Sequence, residues 1–331
     1  MKAYLLRRIL LIIPTFIGVS LISFFLIQLA PGSPIYFKLL GAQGNLQSEA
    51  ETAKVIEETK ALYGLDKPIY VQYVSWLGRM VRLDFGESFK DHRPVMDKIA
   101  DALPITIQFN VLSLLLIYII SIPIGVYSAT HQRTWTDSSL TLVLFLLYSL
   151  PSFWVAMLLI MFLGGGDYLD WFPIYGLNSV GAENYSASQW FIDRIWHMAL
   201  PLFCLTYGSL AALSRYMRTS MLDTVRQDYI RTARAYGFSE RVVIWRYAMR
   251  NSLITIVTLL GGLLPTLVGG SVIIETIFAI PGMGRLGFEA IVSRDYPLIM
   301  GVLTMSALLT LVGLIISDIL YALVDPRIKL G

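Results

Sequence analysis

Six long apolar stretches dominate the chain, and each has about 20 residues or more, enough for a helix to cross a bilayer. They contain only three charged side chains, Arg215, Glu275 and Asp318, although the chain has 26 Lys and Arg and 23 Asp and Glu. Backbone groups in lipid must be hydrogen-bonded within the segment, so each stretch is predicted to be a transmembrane helix. The pattern excludes a soluble enzyme, and it excludes a transmembrane β-barrel, whose strands alternate over about 10 residues. The predicted spans are 9–30, 104–128, 138–164, 196–216, 252–275 and 298–321.

Basic residues are distributed unevenly among the segments that connect the spans. With the N-terminus inside, the inner segments hold 13 Lys and Arg in 62 residues, whereas the outer loops 165–195 and 276–297 hold three in 53. Because cytoplasmic loops are enriched in Lys and Arg, both termini are predicted to be cytoplasmic. The first apolar stretch is longer than the about 7–15 residues of a signal peptide, so it is predicted to be an uncleaved helix.

The long segment 31–103 is predicted to be an ordered extracytoplasmic region. It separates residues 1–30, the N-terminus and first span, from a transmembrane core at 104–331. A capping box, Ser48-x-x-Glu51, predicts a polar helix over 48–63. A second helix is expected to follow, with an apolar face suited to the membrane surface or to partner helices. That face is made of Tyr70, Tyr73, Val74, Leu77 and Val81.

Prolines interrupt several of the predicted spans. A proline in a membrane helix removes one backbone hydrogen bond and bends the axis. Both a packing role and a helix bundle that must move fit this pattern. The prolines concerned are Pro123, Pro151, Pro201 and Pro265.

Segment 217–251 is the longest of the predicted cytoplasmic connections, and it carries seven basic residues. Asp223 is positioned to cap a short helix that ends at Gly237, and a second helix is predicted over 240–250. The charge alone fits the topology rule or a helix lying on anionic lipid. A short helix with Ala233 on its exposed face, followed by a glycine turn, also makes a knob suited to a groove in another protein. Tyr229, Ala233 and Tyr236 are predicted to share one face of the first helix, and Arg226, Arg231 and Arg234 to form a basic one.

Residues 228–251 read DYIRTARAYGFSERVVIWRYAMRN, a segment that resembles the cytoplasmic signature loop of bacterial ABC importer permeases in the dipeptide, oligopeptide and nickel branch. The general signature of these permeases is Glu-Ala-Ala followed by Gly, and Arg231-Thr232-Ala233 and Gly237 stand at those places here. The peptide branch shares this departure. The resemblance implies that the first helix of the loop is a coupling helix, on which an ATPase subunit docks. The implied coupling-helix residues are Asp223, Arg226, Tyr229, Arg231, Ala233, Arg234 and Gly237.

Further matches extend the resemblance over essentially the whole chain, and they are typical of the B-type permease of the pair. The resemblance implies a type I ABC importer permease fold, an all-α membrane protein with six transmembrane helices and cytoplasmic N- and C-termini. The matching segments are 4–8, 29–34, 63–68, 84–88, 93–95, 280–286, 293–297 and 323–327.

The same resemblance implies a permease that works in membrane lipid with a homologous second permease subunit, two ATP-binding cassette subunits and an extracytoplasmic substrate-binding protein. Short peptides are the implied substrate, and nickel chelates and oligosaccharides stay open. The chain has no Gly-Lys dipeptide and hence no phosphate-binding loop, so it is not predicted to be an enzyme. ATP and Mg are expected to bind the ATPase subunits, with no cofactor, metal or nucleic acid on this chain. The rival interpretation, an ion-coupled carrier, requires carboxylates near mid-bilayer, whereas Glu275 and Asp318 lie near span ends.

The predicted outer loop 276–297 supplies a second set of candidate residues. Gly282-x-Gly284-x-x-Gly287 matches the dinucleotide-binding pattern, but it lacks the flanking βαβ unit that gives the pattern its meaning. A tight turn in a re-entrant loop is the better interpretation. The candidates for an outer gate are Pro281, Gly282, Gly284, Arg285 and Asp295.

Overall fold

Helices make up the architecture, and no strand occurs in residues 2–29, 57, 67–164 and 168–324, which the computed structural model describes. An isolated antiparallel bridge joins Glu87 to Pro94. The helix predicted over 48–63 lies outside the described residues, apart from Glu57. The helices are α1 (Lys2–Leu29), α2 (Ile69–Val81), α3 (Val95–Thr130), α4 (Trp135–Ser149), α5 (Ser152–Gly164), α6 (Ala187–Val225), α7 (Asp228–Ala235), α8 (Glu240–Val268), α9 (Val272–Ile277), α10 (Met283–Val292) and α11 (Tyr296–Val324).

Helices α3, α6, α8 and α11 are long and apolar enough to cross a membrane, and the bent pair of α4 and α5 is a fifth candidate span. All five fall on predicted stretches. The remaining stretch, 9–30, falls on α1, whose described apolar part, Leu10–Phe25, is shorter than 18 residues. The prediction of a helical membrane protein is therefore confirmed, and the number of six spans stays a prediction.

The stretch 138–164 is not one straight helix, and the break falls at Pro151, one of the prolines expected to bend a span. Helices α4 and α5 meet at an angle of 97° at Leu150 and Pro151. Proline lacks the N–H that would continue the helix, and it disfavours helical geometry in the residue before it, so Leu150 is extended (φ −87°, ψ 130°). The Tyr207 hydroxyl donates a hydrogen bond of 2.7 Å to the Leu150 carbonyl, which satisfies one backbone group at the break.

The boundaries of the two helices next to α7 also differ from the prediction. Helix α6 spans Ala187–Val225 rather than 196–216, and Pro201 lies inside it without ending it. The second helix predicted over 240–250 begins as expected at Glu240, but it runs on through α8 to Val268, with a π-helical stretch at Val243–Ala248. A helix continues wherever propensity and burial both favour it, and no glycine or proline stops either helix at the predicted ends.

The predicted apolar face of α2 coincides only in part with the packing contact, through Tyr73 and Leu77. Trp76 and Met80 are the buried side chains of this helix, and they pack with Phe24 of α1. Tyr73 belongs to both the predicted and the observed face: its hydroxyl lies 2.8 Å from the Ser20 hydroxyl. Tyr70, Val74 and Val81, by contrast, are exposed. The prediction chose a stripe by spacing alone and left out the Trp76 ring, whose large apolar area determines which side is buried.

The chain divides into two compact units, and the first comprises Met1–Thr106, Val268–Val272 and Pro281–Ile315. Its main core joins the first turns of α3 to α10 and to the start of α11. The fully or almost fully buried members are Val95, Ile99, Met283, Ala290 and Leu298.

The second unit comprises Ile107–Leu267, Ile273–Ile280 and Ile316–Gly331. Within it α3 and α6 approach closely at Gly125, which has no side chain. A Cβ placed on this residue would lie only 2.5 Å from the Cβ of Met217. Its core gathers side chains from α3, α6, α7 and α8. The members include Val126, Met217, Met221, Ile230, Ala233, Val243, Ala248 and Ile256.

Candidate functional site

Helix α7 is a short amphipathic helix held on the second unit by two side chains. Ile230 and Ala233 are buried, and they belong to one apolar cluster with Met217 and Met221 of α6 and with Val243 of α8. Three residues apart, these two side chains occupy the same face of the helix. An isolated helix of eight residues is marginal in water, so this burial holds α7 in place.

The burial of Ala233 contradicts the predicted arrangement of faces. Ala233 is only 4% exposed, whereas Tyr229 and Tyr236, expected on the same face, are exposed. The prediction placed Tyr229, Ala233 and Tyr236 on one face because they are four and three residues apart. The small Ala233 side chain fits against α6 and α8, where a tyrosine ring does not. Burial raises the pKa of the Tyr229 hydroxyl, and a hydrogen bond with Asn251 opposes part of that rise.

The exposed side of α7 is charged. Arg231 and Asp228 lie 3.5 Å apart as an exposed pair, and such surface pairs contribute little to stability. Arg234 makes a two-pronged contact across the following turn, with its Nε 2.7 Å from Glu240 Oε1 and its second nitrogen 3.3 Å from Oε2. Of the predicted basic face, Arg231 and Arg234 lie on α7, and the Arg234–Glu240 contact ties α7 to the start of α8.

Gly237 ends α7 as predicted. Its φ of +81° lies in the left-handed region that glycine adopts without strain. The Gly237 N–H donates to the Arg234 carbonyl at 2.9 Å, and the Phe238 N–H donates to the Ala233 carbonyl at 3.4 Å. Both bonds satisfy carbonyls that the helix end leaves free.

The predicted start of this helix was wrong. Asp223 lies inside α6, and Arg226 follows the last residue of α6, so neither belongs to α7. The residue before α7 is Gln227, in extended geometry, and Asp228 provides the acidic side chain of the first turn. A helix-capping residue type is not enough to start a helix when the preceding helix has reason to continue. Here Met221 and Thr224 keep α6 buried to its end.

Asp295, one of the predicted outer-gate residues, lies in the first unit and is only 1% exposed. Its carboxylate accepts hydrogen bonds from the Ser88 hydroxyl at 2.5 Å and from the Phe89 N–H at 3.1 Å. It also accepts from the Leu298 N–H at 3.4 Å in the first turn of α11, where a negative charge is favoured. Residues 84–98 and 293–298 together form the Asp295 corner.

A lysine completes the Asp295 corner. The Lys98 ammonium lies 2.7 Å from the Asp91 carboxylate and 3.3 Å from the Ser88 hydroxyl. Burial raises the pKa of Asp91, but the hydrogen bonds with Lys98, with Ser88 and with the backbone of Arg93 lower it by more, so the net pKa falls below its ordinary value. Ser88 and Asp295 stand in two matching segments, 84–88 and 293–297, and nothing in the sequence pairs them.

The other outer-gate candidates cluster at the start of α10. Pro281 is exposed, Gly282 precedes the helix in extended geometry, and Gly284 is buried in its first turn. Arg285 pairs with Glu289 one turn later, at 2.7 Å. The N–H of Met283 donates to the Thr106 hydroxyl at 2.7 Å. These contacts make a turn and a packed helix, and no strand precedes them in the described part of the chain.

A buried ion pair in the second unit was missed at the sequence level. Asp137, in the first turn of α4, accepts from Arg218 of α6 at 2.9 Å and from the Arg133 N–H at 3.2 Å. Its side chain is 5% exposed, and that of Arg218 is 29% exposed. Thr134 caps the same helix by accepting from the Asp137 N–H. The Thr-x-x-Asp spacing could have revealed the helix start, but nothing in the sequence pairs it with residue 218.

The remaining polar candidates lie on separate elements of the described structure. No group of three or more His, Cys, Asp or Glu in the described residues is placed to hold a metal ion. Glu275, expected at the end of a span, is buried on the separate short helix α9. Asp318 lies within α11, as expected.

Comparison with known families covers nearly all of the chain. Residues 121–330 match the binding-protein-dependent transport system inner membrane component family, and residues 1–110 match the N-terminal region of the corresponding membrane components. The chain belongs to this family. It is therefore a multi-pass protein of the inner membrane and a membrane component of an ABC transport system.

Similar proteins match along their full length. The chain is 41% identical to the oligopeptide transport system permease protein AppB of Bacillus subtilis, covering 99% of this chain and 100% of that protein. It is 37% identical to the inner membrane ABC transporter permease protein YejB of Escherichia coli O157:H7, over 99% of each chain. A peptidoglycan transport system permease protein YejB of Agrobacterium fabrum is 34% identical, over 99% of this chain and 98% of that one.

Proposed function

We propose that this chain is the permease subunit of an ATP-driven importer of short peptides. The observation that carries the proposal is the full-length similarity to an oligopeptide permease, at 41% identity. Another relative is a peptidoglycan transport system permease protein, and peptidoglycan also contains short peptides. Nickel chelates and oligosaccharides stay as alternatives that no relative named above favours.

The topology we propose has six spans and both termini in the cytoplasm. The spans are α1, α3, the bent pair of α4 and α5, α6, α8 and α11. Residues 1–30 then form the cytoplasmic N-terminus and first span, 31–103 an extracytoplasmic segment, and 104–331 the permease core. The excess of Lys and Arg in the proposed inner segments supports this orientation and puts α7 on the cytoplasmic side.

In this arrangement α7 is the coupling helix on which an ATPase subunit docks. Its apolar side is occupied by its own chain, whereas Arg231, Tyr236 and Phe238 are exposed and free to enter a groove. Because Ile230 and Ala233 are buried with α6 and α8, a push on α7 moves the ends of both helices. Closure of the ATPases would in this way reorient the spans, which is alternating access.

The proposed assembly contains this chain, a homologous second permease, two ATP-binding cassette subunits and an external substrate-binding protein. ATP and Mg bind the cassette subunits, and this chain carries no hydrolytic site of its own. The two permeases together form the pathway.

The test is uptake into proteoliposomes that contain the whole importer. We expect ATP-dependent uptake of short peptides delivered by the binding protein. Uptake of a nickel chelate or an oligosaccharide, with none of any peptide, would overturn the assigned substrate. Uptake without ATP, driven by an ion gradient, would overturn the importer class itself.

The docking role is tested separately by charge reversal at an exposed site. Arg231→Glu should reduce the amount of ATPase subunit that co-purifies with the permease and leave the permease folded, since the Arg231 side chain is 74% exposed. Arg82→Glu, the same change at an exposed arginine of the proposed extracytoplasmic segment, is the matched control. Equal co-purification of both variants would contradict the docking role of α7.

A further inference from the structure

The Asp137–Arg218 ion pair joins two helices that the chain keeps far apart in sequence. Asp137 is the third residue of α4, and Arg218 lies two turns before the end of α6. The Asp137 Oδ2 atom accepts hydrogen bonds from the Arg218 guanidinium and from the Arg133 N–H. Arg133 adopts a left-handed φ of 61°, a conformation that is uncommon for a residue with a side chain. The turn before α4 is thus shaped around this carboxylate.

The pair is difficult to separate. The other carboxylate oxygen, Oδ1, is buried without a hydrogen-bond partner in the described structure. Moving Arg218 away would therefore leave a buried charge with one backbone N–H as its partner, and breaking one side of a buried pair is strongly unfavourable. The start of α4 must consequently follow α6 when α6 moves.

The end of α6 is in turn fixed to α7. Met217, next to Arg218, and Met221, one turn further, are fully buried in the same cluster as Ile230 and Ala233. Arg218 thus lies on a stretch of α6 that contributes to the α7 cluster through Met217 and Met221 and contacts α4 through the ion pair. An uninterrupted series of packed and ion-paired contacts runs from α7 through α6 to α4.

We propose that the Asp137–Arg218 pair transmits the displacement of α7 to α4, and through the Pro151 break to α5, during the transport cycle. This inference rests on the proposed function, because it takes the ATPase as the source of the displacement. Asp137 and Arg218 act here as positioning residues and contact neither substrate nor nucleotide. Without the pair, α7 can still be displaced, but its displacement no longer moves α4 and α5.

The experiment measures peptide uptake and ATP hydrolysis in the same proteoliposomes, with the complete importer. Arg218→Met retains the length of the side chain and removes its charge. We expect the ratio of peptide imported to ATP hydrolysed to fall about five-fold or more, within the usual range of coupling between sites. Arg215→Met, an exposed arginine one turn earlier on α6, is the matched control and should keep the wild-type ratio.

A second variant separates transmission from folding. Asp137→Asn combined with Arg218→Met removes both charges, which buried sites tolerate better than the loss of one. If the pair only stabilises the fold, this double variant should regain the wild-type ratio, and that result would overturn the proposal. Transmission through the pair predicts a ratio as low as in Arg218→Met.

The remaining outcomes also decide the matter. An unchanged ratio in an assembled Arg218→Met importer overturns the proposal, and so does failure of both variants to assemble with the ATPase, since the pair then serves folding. Absence of ATP-dependent peptide uptake by the wild-type importer refutes the proposed function instead, before any variant is compared.

Discussion

The α7 region and the Asp295 corner are held in place by opposite types of contact. Both hold a short piece of chain against longer helices. In α7 the holding contacts are apolar, through Ile230 and Ala233, and the polar side chains point outward. In the Asp295 corner the holding contact is a buried carboxylate that accepts three hydrogen bonds, two of them from Ser88 and Phe89.

The difference follows from what each contact can specify. Apolar burial is non-directional, so it holds α7 in place and leaves its entire charged side available to a partner. Hydrogen bonds to a buried carboxylate have defined distances and directions, so they set the register of residue 88 against residue 295. Helix α7 therefore keeps its charged side exposed, whereas the Asp295 corner is a turn fixed by directed hydrogen bonds.

The largest effect expected concerns the apolar side of α7. Ala233→Glu buries an unpaired carboxylate in the α6, α7 and α8 cluster and should destabilise the protein by about 3–5 kcal/mol. The measurement is the melting temperature of the purified permease in detergent. Ala235→Glu, on the same helix but exposed, is the control and should change the melting temperature little. A folded and thermally normal Ala233→Glu protein would contradict the buried role of this residue.

A smaller loss is expected from the polar contact of the Asp295 corner. Asp295→Ala leaves the Ser88 hydroxyl and the Phe89 N–H without their buried acceptor and should cost about 2–3 kcal/mol, again read as a lower melting temperature. Asp97→Ala removes an exposed carboxylate from the first turn of α3 and serves as the control. Equal stability of the two variants would contradict the holding role of the buried Asp295 carboxylate.

The smallest effect expected is a pH dependence confined to the same corner. Because the pKa of Asp91 in the folded protein lies below 3.8, its ionised form contributes stability above that value, and the contribution is lost as the pH falls through the folded pKa. Asp91→Asn should melt below the wild type at about pH 7, and the difference should vanish under strong acid. The Asp91 side chain is 39% exposed, so the shift should be small. A difference that grows with acidity would contradict the Lys98 contact.

Much of the candidate site was predictable, and the errors have physical causes. Gly237 was correctly predicted to end α7, because a turn with positive φ favours glycine whatever surrounds it. The start of the same helix was predicted wrongly at Asp223, because only the burial of Met221 and Thr224 shows that α6 continues. Local rules work where the cause is local, and they fail where a neighbouring helix decides.

The same division appears in the membrane part. Composition alone predicted helical spans, since lipid offers no other partner for backbone groups. Pro151 indicated the 97° break between α4 and α5, but sequence spacing could not separate such a break from a continuous helix such as α6, which contains Pro201.

Composition and the local order of residues were enough to predict the membrane class, the family and the place of the charged loop in the sequence. Tertiary structure alone decided which face of α7 is buried, and it paired Asp137 with Arg218 and Ser88 with Asp295. The members of each pair are 81 and 207 residues apart. Contacts across such separations depend on how whole helices pack, and no periodicity in the chain encodes them.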